Sequence, residues 1–308
     1  MPRDPLPELA ARLVVSWLNA RHGRAFGEAS RTGEDGPFLA AEGPMRLAVQ
    51  VAALWEGDPA WDERRLDAAE RIRAGLRGPF LLWAPPGADL PQEEPAASEF
   101  VRRIAVRGAP MAPATRVEVE FPVRVRLAKT RDEGGYASVV GGLGRYWTAI
   151  TERVSGTFVL DSTAIRRAPL DERMRDSMFD RVAQVATQVE TGQAVEFELW
   201  DSWTLQRLDA GDGFALVGAP PSSDPTDGAT LRRVIRRRLE EAAVALDGVE
   251  ADVRCVALVA IVEFAEHEGV SSALRSVAPA LYAPFDLLAV LADGEVKPAL
   301  RPRPLPWQ

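Results

Sequence analysis

Three kinds of side chain are scarce in this chain of 308 residues: it has one cysteine, Cys255, two lysines, Lys129 and Lys297, and two histidines, His22 and His267. A lone cysteine forms no intramolecular disulfide and supports no cysteine-rich zinc site. Set in the apolar run RCVALVAIV, Cys255 reads as a small buried hydrophobe. Two histidines leave little room for a Ser/His/Asp or Cys/His nucleophilic centre. The spacing of Glu263 and His267 puts both on one helical face, but no second histidine completes an HExxH zinc motif, and a solvated acidic helix end is the plainer reading. Any mechanism that requires lysine must draw on Lys129 or Lys297, because 35 of the 37 basic residues are arginine. No apolar run approaches the roughly 18 residues that span a bilayer, and MPRDPLPELA lacks the charged-then-apolar pattern of a signal peptide. A cytoplasmic location and no membrane partner are therefore expected. The stretch GGLGRYW contains neither GxGxxG nor a phosphate-loop lysine and reads as a flexible turn. No period of 20 to 50 residues marks a solenoid or propeller.

What is present is an ordinary globular composition, 46% hydrophobic and 27% charged, with a net charge of −8 that opposes a general affinity for nucleic acid. Leu6, Leu9, Leu13, Trp17 and Leu18 recur at helical spacing and predict an amphipathic helix over 6 to 21. Strand-like runs follow at AFGEAS, PFLAAE and RLAVQVAALW. Leu66, Ala69, Ile72 and Leu76 predict a second helix starting near Asp62, and PFLLWA is an apolar run of strand length. RVEVEFPVRVRL alternates strictly, as a long half-buried strand does. Beyond it come a strand at GTFVLDS and a helix with the core-like stripe Met174, Met178, Val182 and Val185. AVEFELW and GFALVGA read as strands, ATLRRVIRRRLEEAAVAL as a helix, VRCVALVAIVEF as a buried strand, and SSALRSVAPAL with FDLLAVLAD as a final helix and strand. The fold class expected is α/β or α+β, with a mixed-sheet domain over 1–109 and a second α/β region over 110–308, a further division near 190 being left open. The turn-rich RGAPMAPAT marks the boundary near 110.

The order helix, three strands, helix, strand over residues 6 to 84, with Asp35 before FLAAE and Gln50 within LAVQVAAL, resembles the core of the PD-(D/E)XK restriction-endonuclease-like superfamily. The resemblance implies an aspartate near one strand and, on the next, an acid followed two residues later by lysine. Positions i and i+2 share one face of a strand, so the acid holds Mg²⁺ while the lysine serves the attacking water or the developing charge. Here Gln50 stands where the acid belongs and Ala52 where the lysine belongs, and Asp35-Gly36-Pro37 replaces the usual entry. Asp35, Gln50 and Glu28 are the residues of a degenerate site. Outside the resemblance, Asp35 reads as a turn residue and Gln50 as a polar position on an ordinary central strand.

Two predicted helices carry arginine-rich faces. Arg232, Arg236 and Arg237 lie opposite the Leu231, Val234 and Ile235 stripe, and Arg64, Arg65, Arg71, Arg73 and Arg77 form a similar set earlier. Arginine suits bidentate phosphate contact, and Tyr146 and Trp147 beside Arg145 could stack on an unpaired base. Interleaved acids make a solvated face the plainer reading. The expected function is that of a binding or scaffolding protein with a degenerate nuclease-like domain, DNA-associated or defence-related, with weak nucleic-acid contact or a protein partner. The alternatives are an active Mg²⁺-dependent nuclease with a rearranged site and a regulatory protein that binds only proteins.

Overall fold

The computed structural model describes residues 4–33, 36–223, 228–261 and 267–307. The fold is mixed α/β, with seven α-helices and two mixed sheets among the described residues. In chain order the elements are α1 (Leu6–His22), β1 (Ser30–Arg31), β2 (Phe38–Glu42), β3 (Met45–Ala53), α2 (Pro59–Gly75), β4 (Pro79–Trp83), α3 (Ala96–Gly108), β5 (Thr115–Arg131), β6 (Gly135–Gly141), α4 (Trp147–Thr151) and β7 (Gly156–Ser162). These are followed by α5 (Glu172–Ala186), β8 (Ala194–Arg207), β9 (Gly213–Val217), α6 (Gly228–Leu246), β10 (Val253–Val259), α7 (His267–Arg275), β11 (Leu287–Ala292) and β12 (Glu295–Leu300).

The chain divides into two compact units, one of residues 1–117 and 204–308 and the other of residues 118–203. The sequence reading places a boundary near 110; the divisions at 117/118 and 203/204 arise because β3 takes its parallel neighbour from the far end of the chain. In the first unit the sheet order is β1-β2-β3-β10-β11-β12. β1, β2 and β3 form an antiparallel meander, β3, β10 and β11 run parallel, and β12 returns antiparallel. β10 has buried residues at nearly every position, as a parallel strand covered on both faces must. The strand that follows the second helix in the expected order, β4, does not join this sheet. It lies parallel to β9 and antiparallel to the end of β8, Phe80 opposite Arg207 and Trp83 opposite Thr204.

Helix α1 explains why its apolar stripe is so wide. Leu6, Leu9, Ala10, Ala11, Val14, Val15 and Leu18 are buried, and the helix packs on β3 and β10 as well as on β4 and β9. α2 starts at Pro59, earlier than the predicted Asp62. Asp58 accepts hydrogen bonds from the Ala60 and Trp61 amides at 3.0 and 3.1 Å, and proline costs nothing at the first helical position. Of the predicted strand AFGEAS, only Ser30 joins the sheet, in β1.

In the second unit the sheet order is β6-β7-β5-β8, with β5 and β7 antiparallel and β6 and β7 parallel. Val125, Leu127, Phe158, Leu160, Phe197 and Leu199 face the core side, where Ile150 of α4 and Met178, Phe179 and Val182 of α5 join them. The strand β6 runs up to the first glycine of GGLGRYW, the segment read as a turn, which turns at 142–143 and leads into α4. Gly141 closes the strand at φ +92°, pressed against the backbone of Ser162, a position with no room for a Cβ. The Asp201 carboxylate clasps the loop after β7: Oδ1 accepts from the Arg166 and Arg167 amides at 2.9 and 2.7 Å, and Oδ2 from the Trp203 indole at 2.9 Å.

Candidate functional site

The two faces of β3 lead to different surroundings. Val51 and Ala53 line a cleft together with Leu6 and Pro7 of α1, so by alternation Leu47 and Val49 share the α1 face, while Ala48, Gln50 and Ala52 lie on the face toward α6. In register with Gln50 and Ala52 on β10 stand Val256 and Leu258, both fully buried and apolar. The Gln50 amide oxygen is buried without a hydrogen-bond partner, and its nitrogen lies 3.5 Å from the Val51 carbonyl, at the limit of a bond.

Of the other residues named for the degenerate site, Glu28 does not lie there, nor do the two lysines. Asp35 lies outside the described residues. Glu28 is exposed on the connection between α1 and β1 and pairs with Arg12. Lys129, in the second unit, sits 2.8 Å from Asp132. Lys297 is on β12, three strands from β3 or about 14 Å at ordinary strand spacing, and pairs with Glu295 at 2.8 Å. Among the described residues no three His, Cys, Asp or Glu side chains converge to hold a metal. A neutral amide flanked by valine and leucine does not fit Mg²⁺, which needs hard, charged oxygen ligands.

The cleft on the opposite face has a volume of about 360 Å³ and opens at the carboxyl ends of β3 and β10. Val51, Ala53 and Val259 contribute its apolar surface, with Leu66 and Trp55 beside them. Its polar groups are Asp4, Asp62, Arg65 and Arg238. Arg65 was expected on an exposed basic face but is 4% exposed. Its Nη2 donates to Asp4 at 2.6 Å, Nη1 donates to the Leu216 carbonyl at 3.1 Å, and Nε reaches Asp62 at 3.4 Å. The charge is tolerated because these acceptors replace its water. Asp4 also accepts from the Leu6 amide at 3.0 Å, so one carboxylate caps α1 and neutralises α2. Arg238 reaches round the strand end and donates to the carbonyls of Ala53 at 3.0 Å and Trp55 at 3.2 Å, and to Glu241 at 2.8 Å. The sequence signal for this site was the arginine at position 65, placed between the buried Trp61 and Ala69 of an otherwise apolar helix face.

Arg232, Arg236 and Arg237 are exposed on α6, opposite its buried Leu231, Val234, Ile235 and Leu239. Arg237 lies 3.6 Å from Glu56 and from Glu241, and Arg233 4.0 Å from Glu56, whereas Arg232 and Arg236 have no ion pair among the described residues. In the second unit Tyr146 packs on Phe179 with ring centroids 5.5 Å apart and is not a free stacking platform; Trp147 is exposed and meets Tyr136 at 6.1 Å. Cys255 is fully buried, and burial pushes its thiol well above the usual range, so it is no nucleophile. Of the Glu263 and His267 pair, Glu263 lies outside the described residues. Among the described residues no helix is long and apolar enough to cross a membrane.

With that geometry in place, the chain was compared with protein-family models, curated proteins and solved structures, and none matches.

Proposed function

We propose that the chain is a binding or scaffolding protein whose first unit carries a degenerate restriction-endonuclease-like core, at work in DNA-associated or defence machinery and without phosphodiester cleavage. The order α1-β1-β2-β3 supports the likeness, and the helix and strand that complete it beside β3 are α6 and β10 rather than α2 and β4. The loss of chemistry rests on one observation. The places of the acid and the lysine, Gln50 and Ala52, have Val256 and Leu258 in register on β10, so among the described residues nothing there charges a metal site or activates water.

The exposed side of α6, with Arg232, Arg236 and Arg237, is the surface assigned to a partner. Its arginines suit short-range phosphate contact, while the net charge of −8 denies long-range attraction, so binding of nucleic acid is weak and salt-dependent. The experiment is incubation of the purified protein with duplex and single-stranded DNA in Mg²⁺ or Mn²⁺. Intact substrate is expected. Robust cutting that Asp35→Ala abolishes would replace this reading with that of an active nuclease.

A further inference from the structure

We propose that the cleft at the carboxyl ends of β3 and β10 binds a small organic cation, an ammonium or guanidinium group carried on an apolar body. The inference rests on the cleft alone and is independent of the nuclease-like reading of the opposite face. About 360 Å³ suits a small molecule rather than a macromolecular segment. Its place, beyond the carboxyl ends of adjacent parallel strands, is where open α/β sheets leave a crevice with no strand or helix to fill it.

The sign of the ligand's charge follows from which groups are already engaged. The guanidinium of Arg65 is directed at Asp4, Asp62 and the Leu216 carbonyl, and that of Arg238 at two carbonyls and Glu241. Neither arginine presents a free pair of N–H groups to a carboxylate or phosphate. The acceptors are less fully used. Asp62 receives only the long 3.4 Å contact, at Oδ1, and its Oδ2 accepts no hydrogen bond among the described residues. Asp4 and Asp62 offset Arg65 and Arg238 within the lining, and Glu241, outside it, is shared by Arg237 and Arg238, so the acceptor left open in the cleft is Asp62 Oδ2. A cation bound at Asp62 gives that oxygen a charge-assisted donor. Its apolar body then covers Val51, Ala53 and Val259.

The test uses three probes of one shape on the full chain: benzylammonium, benzyl alcohol and benzoate, followed by calorimetry and by amide chemical shifts at Ala53 and Val259. Benzylammonium is expected to bind about tenfold or more tighter than benzyl alcohol, the margin of a charge-assisted hydrogen bond, and benzoate not to bind. Ala53→Leu, which fills the cleft, should abolish binding. Asp62→Asn, which keeps Asp4 on Arg65, should reduce benzylammonium binding to the level of the alcohol. Cooperative unfolding of both variants establishes that they fold. No binding of benzylammonium at millimolar concentration, equal binding of the alcohol or benzoate, or full binding by folded Asp62→Asn overturns the proposal.

Discussion

Arg65 of α2 and Asp4, 61 residues earlier in the chain and just ahead of α1, meet at 2.6 Å, with the arginine buried and the aspartate partly open to water. The asymmetry of exposure sets an asymmetry of cost. Asp4→Ala leaves a buried guanidinium without its main partner and removes the acceptor of the Leu6 amide, so it should destabilise the protein by about 2 to 3 kcal/mol, below the fully buried range because Asp4 is partly exposed. Arg65→Met leaves a carboxylate that water can reach and should cost less. Urea midpoints of the two variants measure the order, and a costlier Arg65→Met would show that packing of the arginine outweighs its charge.

Burial lifts Asp201 to about 6, against the Trp203 indole and the Arg167 and Arg166 amides that favour its ionised form. The unfolded chain titrates this group near 3.9, so the folded state holds its proton to higher pH. The resulting stabilisation is fully present below about pH 4, is lost as pH rises to about 6, and stays absent above. Its size is roughly 3 kcal/mol at most. Asp201→Asn keeps an oxygen for the two amides and does not ionise. Its stability relative to the parent should therefore rise between about pH 4 and 7, and a flat difference in denaturation across that window would rule the effect out.

Two glycines of the second unit separate backbone strain from steric exclusion. Gly192 has φ +85° with open space around its α-carbon, whereas Gly141 has φ +92° and the Ser162 backbone where a Cβ would lie. Gly192→Ala should cost about 1 to 2 kcal/mol, the penalty of a left-handed conformation. Gly141→Ala adds a clash with main chain that cannot rotate away and should cost about 3 kcal/mol or more. Thermal unfolding of the pair decides it; equal losses would place the whole effect in φ.

The periodicities that rest on neighbouring residues were legible. α1 and β3 lie where Leu6 to Leu18 and the alternation from Leu47 to Val51 put them, with β3 flanked by β2 and β10. Position i says nothing about a partner two hundred residues away, so the place of β10 beside β3 was hidden, and so was the exclusion of β4 from that sheet. Arg65 was read by its charge, because its neutralising acceptors Asp4 and Leu216 are remote in sequence. β6 was masked by Gly134, Gly135, Gly141 and Gly142 at its ends, and α3 by its setting between proline-rich turns, although Phe100 and Ile104 carry its buried face. At Gln50 the sequence shows a polar residue on a central strand; its apolar neighbours Val256 and Leu258 came only from register.

The arginines of α6 differ in availability. Arg232→Glu with Arg236→Glu should weaken any DNA mobility shift at low salt without unfolding the protein, since both side chains are solvent-exposed. Glu56→Gln should have the opposite effect. It releases Arg233 and Arg237 and should steepen the salt dependence by about 0.9 in the log-log slope for each phosphate gained on duplex DNA. A parent protein with no shift at low salt would leave protein partners as the function of this surface.

The Arg46 amide donates to Asp252 across 206 residues of chain, beside the pairing of β3 with β10. A ribosome adding 5 to 20 residues per second needs roughly 10 to 40 s to travel between those two points. Throughout that interval the edge of β3 has no β10 to pair with, while residues 118–203 emerge with every strand of their own unit already in hand. Synthesis therefore finishes the inserted unit first and the enclosing one last, and the nascent chain carries an apolar strand with one edge unpaired for the longest part of its production. Chaperone capture of the half-made chain is most needed in that window, and truncations that stop between β9 and β10 would leave that edge permanently unpaired.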